Sequence, residues 1–191
     1  MARVATNVGI AAVLDVETTG FNPRSDEIIE LGMTLFRYDR VTGWVLDSVS
    51  DYSGLRQPSC PIPHYASAVH GIAWHTVKGR RLDYRRIRKM LRQADFVVAH
   101  CAAFDRDFVA RLMPSFRPAT WLCSRDGIDW WAKGFESRSL EDLAAAHDIR
   151  NSRPHRAAGD ARTLLTLLSC QGRGRNTYLY ELLKRNGLIG R

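Results

Sequence analysis

The stretch that most constrains the fold is Ile10-Ala-Ala-Val-Leu14, an apolar run that ends on Asp15-Val-Glu-Thr-Thr-Gly20. A short apolar run stopped by glycine reads as a strand buried on both faces, and such a strand needs neighbours in a sheet. Side chains alternate along a strand, so Asp15 and Glu17 leave the same face at its C-terminal end. Open α/β sheets place their sites at that end. Two carboxylates side by side repel unless a cation lies between them.

The surrounding pattern supplies the neighbours. Between Glu27 and Tyr38, Ile29, Leu31, Met33 and Leu35 occupy every second position, as in a strand, and Asp39 to Gly43 turns the chain into a third strand near Trp44 to Tyr52. Pro58 to His75 carries three prolines without periodicity and is expected to be loop with short helical pieces. From Asp83 to Ala94, Tyr84, Ile87, Leu91 and Ala94 share one helical face opposite a row of arginines and Lys89. Phe96 to Ala99 is a fourth buried strand, a helix from about Phe104 to Leu112 follows, and a fifth short strand is expected at Ala119 to Leu122. Ser139-Leu-Glu-Asp142 has the spacing of a helix start, with the helix running to His147. Ala157 to Leu168 is a further helix with Ala161, Leu164, Leu165 and Leu168 inward. Gln171 to Asn176 reads as a flexible basic joint to a last helix near Tyr178 to Arg185. Strands first, then strand and helix alternating, indicate an α/β architecture with a mixed five-stranded sheet flanked by helices.

With 191 residues, one domain is expected, residues 1–170, with 171–191 part of it or packed on it. Hydrophobic residues at 45% and charged residues at 25% suit a globular chain with a real core rather than a disordered one. The formal charge of +8 favours a polyanionic partner. No apolar run approaches the roughly 20 residues that cross a bilayer, and the N-terminus lacks the order of a signal peptide, so a cytoplasmic protein is expected. Cys60, Cys101, Cys123 and Cys170 form no C-x-x-C pair and read as reduced thiols.

Two more acids stand at helix starts. Asp105 follows the fourth strand within His100-Cys-Ala-Ala-Phe-Asp105, and Asp160 closes His155-Arg-Ala-Ala-Gly-Asp160. Each alone is an ordinary helix-start charge, and His155 alone an ordinary loop histidine. Together, four carboxylates and one histidine have the inventory for two hard divalent cations and a general base, the equipment for cutting a phosphodiester.

In order, these three segments resemble the three motifs of the DEDDh (DnaQ-like) 3′–5′ exonucleases, over about Ala11 to Leu168. Asp26-Glu-Ile-Ile-Glu-Leu31, Val69-His-Gly-Ile72 and Ser139-Leu-Glu-Asp-Leu143 are similar to further segments of that family. The resemblance implies a ribonuclease H-like fold and hydrolysis of single-stranded DNA from its 3′ end to nucleoside 5′-monophosphates, in repair or proofreading. It implies that Asp15, Glu17, Asp105 and Asp160 hold two Mg²⁺ or Mn²⁺ ions, and that His155 takes the proton from the attacking water. Thr18, Thr19, Gly20 and Phe21 would line the terminal-nucleotide pocket, and His70, His100 and Phe104 would join in binding substrate. In the second motif Cys101 stands where the family usually has Asn, which costs a hydrogen-bonding amide but no metal ligand.

An RNA 3′ exonuclease is the alternative within the family, and a DNA polymerase is a partner that the resemblance allows. A noncatalytic binding module would be expected to have lost one of the five residues. Cys60, His64, His70 and His75 fit no zinc-finger spacing. Trp130 and Trp131 are expected to be core. The basic run Lys78 to Arg92 suits either a nucleic-acid backbone or a solvated helix face.

Overall fold

The computed structural model describes residues 7–114, 120–172 and 174–189. Three long strands open it: β1 (Val8–Thr18), β2 (Ile28–Asp39) and β3 (Val45–Leu55). Then come α1 (His64–His70), α2 (Trp74–Val77), α3 (Tyr84–Gln93), β4 (Phe96–Ala99), α4 (Ala102–Leu112), β5 (Thr120–Cys123) and α5 (Ser124–Gly127). The chain closes with α6 (Leu140–Ala146), α7 (Ala157–Ser169) and α8 (Tyr178–Arg185).

The five strands form one sheet in the order β3-β2-β1-β4-β5. β2 runs antiparallel to both β1 and β3, while β1, β4 and β5 are parallel. The apolar run of β1 is therefore paired on both sides, and Ala11 to Leu14 are fully buried. Its alternation divides the core. Ala12, Leu14 and Val16 face Ile87, Met90 and Leu91 of α3 and Phe108 and Val109 of α4. Ala11 and Val13 face Leu143 of α6, Ala161, Leu164 and Leu168 of α7, and Tyr178 and Leu182 of α8. Asp15 and Glu17 continue this second row beyond the end of the apolar core.

The helices start where side chains can satisfy their free N–H groups. Asp83 accepts from Arg86 N–H, Ser139 from Asp142 N–H and Thr177 from Tyr180 N–H. The expected elements are present with modest changes of boundary: β3 continues to Leu55, and α4 begins at Ala102 rather than Phe104. Ala119 lies outside the described residues. The segment Gln171 to Asn176, expected to be flexible, is tied back by a bridge between Gln171 and Thr177 and a hydrogen bond from Gln171 Nε2 to the Arg175 carbonyl; Arg173 lies outside the described residues. Beyond it α8 buries Tyr178, Leu179, Leu182 and Leu183. No helix of the described residues is long and apolar enough to cross a membrane, and the four cysteines are free.

Of the two adjacent tryptophans, Trp130 is fully buried and donates from Nε1 to the Ser124 carbonyl at 2.9 Å. Trp131 departs from the core expectation: it is exposed, with the Arg138 guanidinium 5.7 Å from its ring centre. The chain reverses at Gly134 between these residues and α6, so only one of two neighbouring indoles can face inward.

Candidate active site

Asp15 and Glu17 end the central strand, and Asp160 comes to them from the first turn of α7. The three carboxylates can each offer an oxygen such that all three lie within 4.8 Å of one another. What allows this approach is Gly32, the residue of β2 paired with Asp15. A Cβ built on Gly32 would lie 2.2 Å from the backbone of Ala157 and Ala158, so only glycine lets α7 start against the sheet here.

The start of α7 is also held by charge. Glu30 sits directly across the β1–β2 pair from Glu17 and is almost fully buried. Arg156 donates to both its oxygens, at 2.9 and 2.8 Å, and Ala157 N–H donates to it at 3.1 Å. This fork neutralises Glu30 and fastens the N-terminus of α7 to β2. Among the described residues no such fork reaches Glu17.

Asp105 is buried at the first turn of α4 and accepts Val16 N–H at 3.2 Å. It is not a member of the close trio. It lines one pocket with Asp15, Asp160 and His155, together with Asn151, Glu141, His100, Cys101 and Phe104, and Leu140, Ala144 and Ile149 form its apolar wall. The cavity is about 380 Å³. Asn151 donates its amide to Asp160 Oδ1 at 2.6 Å. His155 has a left-handed backbone, φ 56°, and its Nε2 lies 4.0 Å from Glu141 Oε2.

Crowding of like charge in a poorly hydrated place marks the acids. Burial, with Asp105, Glu17 and Asp160 close by, drives the Asp15 carboxyl well above the usual range. Burial and the nearby Asp160 and Glu30 push Glu17 up to about 8, and burial pushes Asp105 up to about 7. Asp160 is raised by burial, against the opposing Asn151 hydrogen bond. The Arg156 guanidinium opposes the rise of Glu17 without cancelling it. An all-oxygen donor set with this unbalanced charge fits hard divalent cations, Mg²⁺ or Mn²⁺ being typical. Among the described residues this is the group that could hold a metal; Cys60, His64, His70 and His75 do not form one.

The other expected binding residues divide. Phe21 is exposed, and its ring lies 6.4 Å from Phe104 in the pocket wall. Thr18, Thr19 and Gly20 instead hold the turn after β1: Thr18 Oγ1 donates to the Gly20 carbonyl at 2.6 Å, and Thr19 Oγ1 accepts Glu27 N–H at 3.0 Å and donates to Asp26 at 3.2 Å. His100 has no nitrogen to spare. Its Nε2 donates to the Arg138 carbonyl at 2.7 Å, its Nδ1 accepts from the Ser124 hydroxyl at 2.9 Å, and burial lowers its pKa, so the neutral ring acts as a brace. His70 is buried, with Nδ1 accepting Ile72 N–H at 3.0 Å and no partner for Nε2 among the described residues. Cys101 lines the pocket, and burial raises its thiol pKa.

Gly32, Asn151, Glu141 and the Glu30–Arg156 fork were not anticipated. Glu30 and Arg156 lie inside the family-like segments, which was a signal; nothing in the sequence around Asn151 points to Asp160.

The exonuclease family model of RNase T type matches residues 12–168. A 3′–5′ exonuclease DinG of Staphylococcus saprophyticus is 28% identical over 166 residues, covering 82% of this chain and 17% of that protein. A PolC-type DNA polymerase III of Thermotoga maritima is 30% identical over 164 residues, covering 78% of this chain and 11% of that one. The chain thus spans less than a fifth of these curated relatives. An exonuclease X in complex with 5′ overhanging duplex DNA superimposes with a TM-score of 0.62, at 22% identity and 93% coverage of both chains. A zinc-bound exonuclease I–single-stranded DNA complex of E. coli superimposes with 0.73, at 16% identity, covering 92% of this chain and 43% of that one. These likenesses establish a ribonuclease H-like fold with the mixed sheet expected from the sequence.

Proposed function

Since the chain belongs to the RNase T-type exonuclease family, we propose that it is a metal-dependent 3′–5′ exonuclease that shortens single-stranded DNA to nucleoside 5′-monophosphates, in repair or proofreading. The observation that carries the reading is the convergence of Asp15, Glu17 and Asp160 within 4.8 Å beside a pocket that also holds Asp105 and His155. Asp15, Glu17, Asp105 and Asp160 are the residues that would hold two divalent cations, Mg²⁺ or Mn²⁺, which when bound supply charge neutralisation and Lewis acidity at the scissile phosphodiester. His155, at the pocket mouth, takes the proton from the attacking water. Water oxygen bonds to phosphorus, the bond from phosphorus to the 3′ oxygen of the preceding nucleotide breaks, and a 5′-monophosphate leaves behind a new 3′ hydroxyl.

Around this chemistry the side chains position the strand. Phe104 and the exposed Phe21 offer faces on which the terminal base can stack. Leu140, Ala144 and Ile149 exclude water from the apolar wall. Asn151 holds Asp160, and Glu141 stands beside the His155 ring. The polymerase and exonuclease relatives support a setting in DNA metabolism, with a polymerase as one partner to test and residues 171–191 as part of the same catalytic unit.

The test is incubation of 5′-labelled single-stranded DNA and RNA oligonucleotides with Mg²⁺. Progressive shortening of DNA from the 3′ end by the wild type and none by Asp15→Ala is the expected result. Equal shortening by Asp15→Ala, or none by wild type, would refute the assignment, and RNA cut faster than DNA would overturn the substrate.

A further inference from the structure

The basic run between Lys78 and Arg92 is not used by the active site. It holds eight Lys or Arg and one acid, Asp83. Asp83 spends its carboxylate on the cap of α3, accepting Arg86 N–H. Seven of the eight cations are exposed and Arg88 is half-buried. Among the described residues none of the eight forms an ion pair, whereas elsewhere Arg37 pairs with Asp47, Arg40 with Asp95, Arg56 with Glu27 and Arg156 with Glu30.

On α3 the charges are aligned. Arg85, Arg88, Lys89 and Arg92 are spaced three and four apart, so they share one helix face, and they line a shallow groove with Gln93. Like charges at that spacing repel and weaken the helix. The Arg88 Nε–H is buried without an acceptor among the described residues. A merely solvated face has no need to stack cations in this way, and an anionic partner along the groove removes the repulsion.

The row lies on the side of the sheet covered by α3 and α4, and α4 carries Phe104 of the acidic pocket. Phe104 in the pocket wall packs on Phe108, with ring centres 4.8 Å apart. The buried Phe108 lines a second groove with Tyr84, where Arg56 is paired with Glu27, Arg111 donates to the Pro23 and Asp26 carbonyls, and Asp26 and Glu27 share the lining. Arg56 and Tyr84 are shared with a third groove, lined by Arg80 and Arg81, and Tyr84 opens α3. Beyond these paired groups, Arg80 and Arg81, unpaired among the described residues, carry positive charge toward the start of α3.

We propose that the Arg85–Lys89–Arg92 face of α3 binds the phosphate backbone of the substrate strand upstream of the 3′ end being cut. The inference rests on the exonuclease reading and adds a holding surface remote from the chemistry. The eight residues from Arg85 to Arg92 rise about 10 Å along the helix, enough to meet two or three successive phosphates.

The triple variant Arg85→Ala, Lys89→Ala, Arg92→Ala tests it, since all three side chains are exposed and alanine keeps the helix. Binding of a single-stranded oligonucleotide of about 25 nucleotides is measured in chelator across a salt series, and turnover of a tetranucleotide is measured with Mg²⁺. The expected result is at least tenfold weaker binding of the long strand and a salt slope smaller by about 2, from three lost phosphate contacts. Tetranucleotide turnover stays at the wild-type level, and the double variant Arg85→Lys, Arg92→Lys, which leaves Lys89 in place, keeps the wild-type slope. Unchanged long-strand affinity and slope overturn the proposal while short-substrate turnover leaves the exonuclease reading standing. Equal loss on both substrates overturns it too, as does loss of binding to anionic phosphatidylserine vesicles with oligonucleotide binding intact. Absence of tetranucleotide turnover in the wild type instead refutes the exonuclease reading beneath it.

Discussion

Replacing Glu17 by Gln isolates the cost of assembling the acidic centre without metal. Burial, with Asp160 and Glu30 close by, holds Glu17 at about 8 against an ordinary value of 4.5. A carboxyl whose pKa is raised on folding holds its proton more tightly in the folded state. Stability is therefore greatest below about pH 4.5 and falls as the pH rises toward about 8, by up to about 1.4 kcal/mol per pH unit. Over that window the ceiling is about 5 kcal/mol for this group; water entering the open pocket and side-chain relaxation reduce it to about 2 kcal/mol. In chelator at about pH 8, Glu17→Gln should unfold about 4 to 8 °C above wild type, with a flatter dependence on pH. Magnesium at about 100 times its Kd should return about 2.7 kcal/mol to wild type and much less to the variant. Thermal unfolding monitored by circular dichroism, with and without chelator, between about pH 5 and about pH 8 measures both effects. Wild-type stability that is level or rising across this range in chelator, or a variant less stable than wild type there, refutes the argument that uncompensated charge dominates the site.

Three further outcomes follow from the contacts around the acids. Gly32→Ala forces α7 off the sheet, and nuclease activity should fall by about 100-fold with a loss of about 1 to 3 kcal/mol in chemical denaturation; wild-type activity would mean that α7 does not set the position of Asp160. Asn151→Ala removes the amide on Asp160 and should weaken metal affinity by about 10- to 100-fold at unchanged stability, read by calorimetric titration of Mn²⁺. Arg156→Met strands the buried Glu30 carboxylate and should cost about 3 kcal/mol, and adding Glu30→Gln should recover a large part of it, as a double-mutant cycle in urea will measure.

The motif acids were legible because each stands at the junction of an apolar run and a turn, where periodicity announces both the strand and the face. β2, α3 and α7 are legible in the same way. What depends on contacts far apart in the chain is not. Gly32 reads as an unremarkable strand glycine until α7, about 125 residues later, rests on it. Arg156 reads as one more cation until Glu30 is seen beneath it. The bracing of His100 is hidden for a related reason: its neighbourhood in sequence is that of Asp105, yet its hydrogen bonds go to Ser124 and the Arg138 carbonyl, which the motif does not contain. Trp130 and Trp131 have identical composition and opposite fates because adjacent residues in a turn point apart.

The central position of β1 has a consequence for how the protein comes apart. A strand paired on both edges exchanges its amide hydrogens through the largest opening of the sheet, whereas His155 sits on a loop whose backbone can open locally. On warming, the imidazole should therefore leave its place before Asp15 and Glu17 separate, and a population arises that still captures cations but no longer turns over. Heat inactivation and release of metal then become two events, separated in temperature by the difference between loosening a loop and unzipping β1 from β2 and β4.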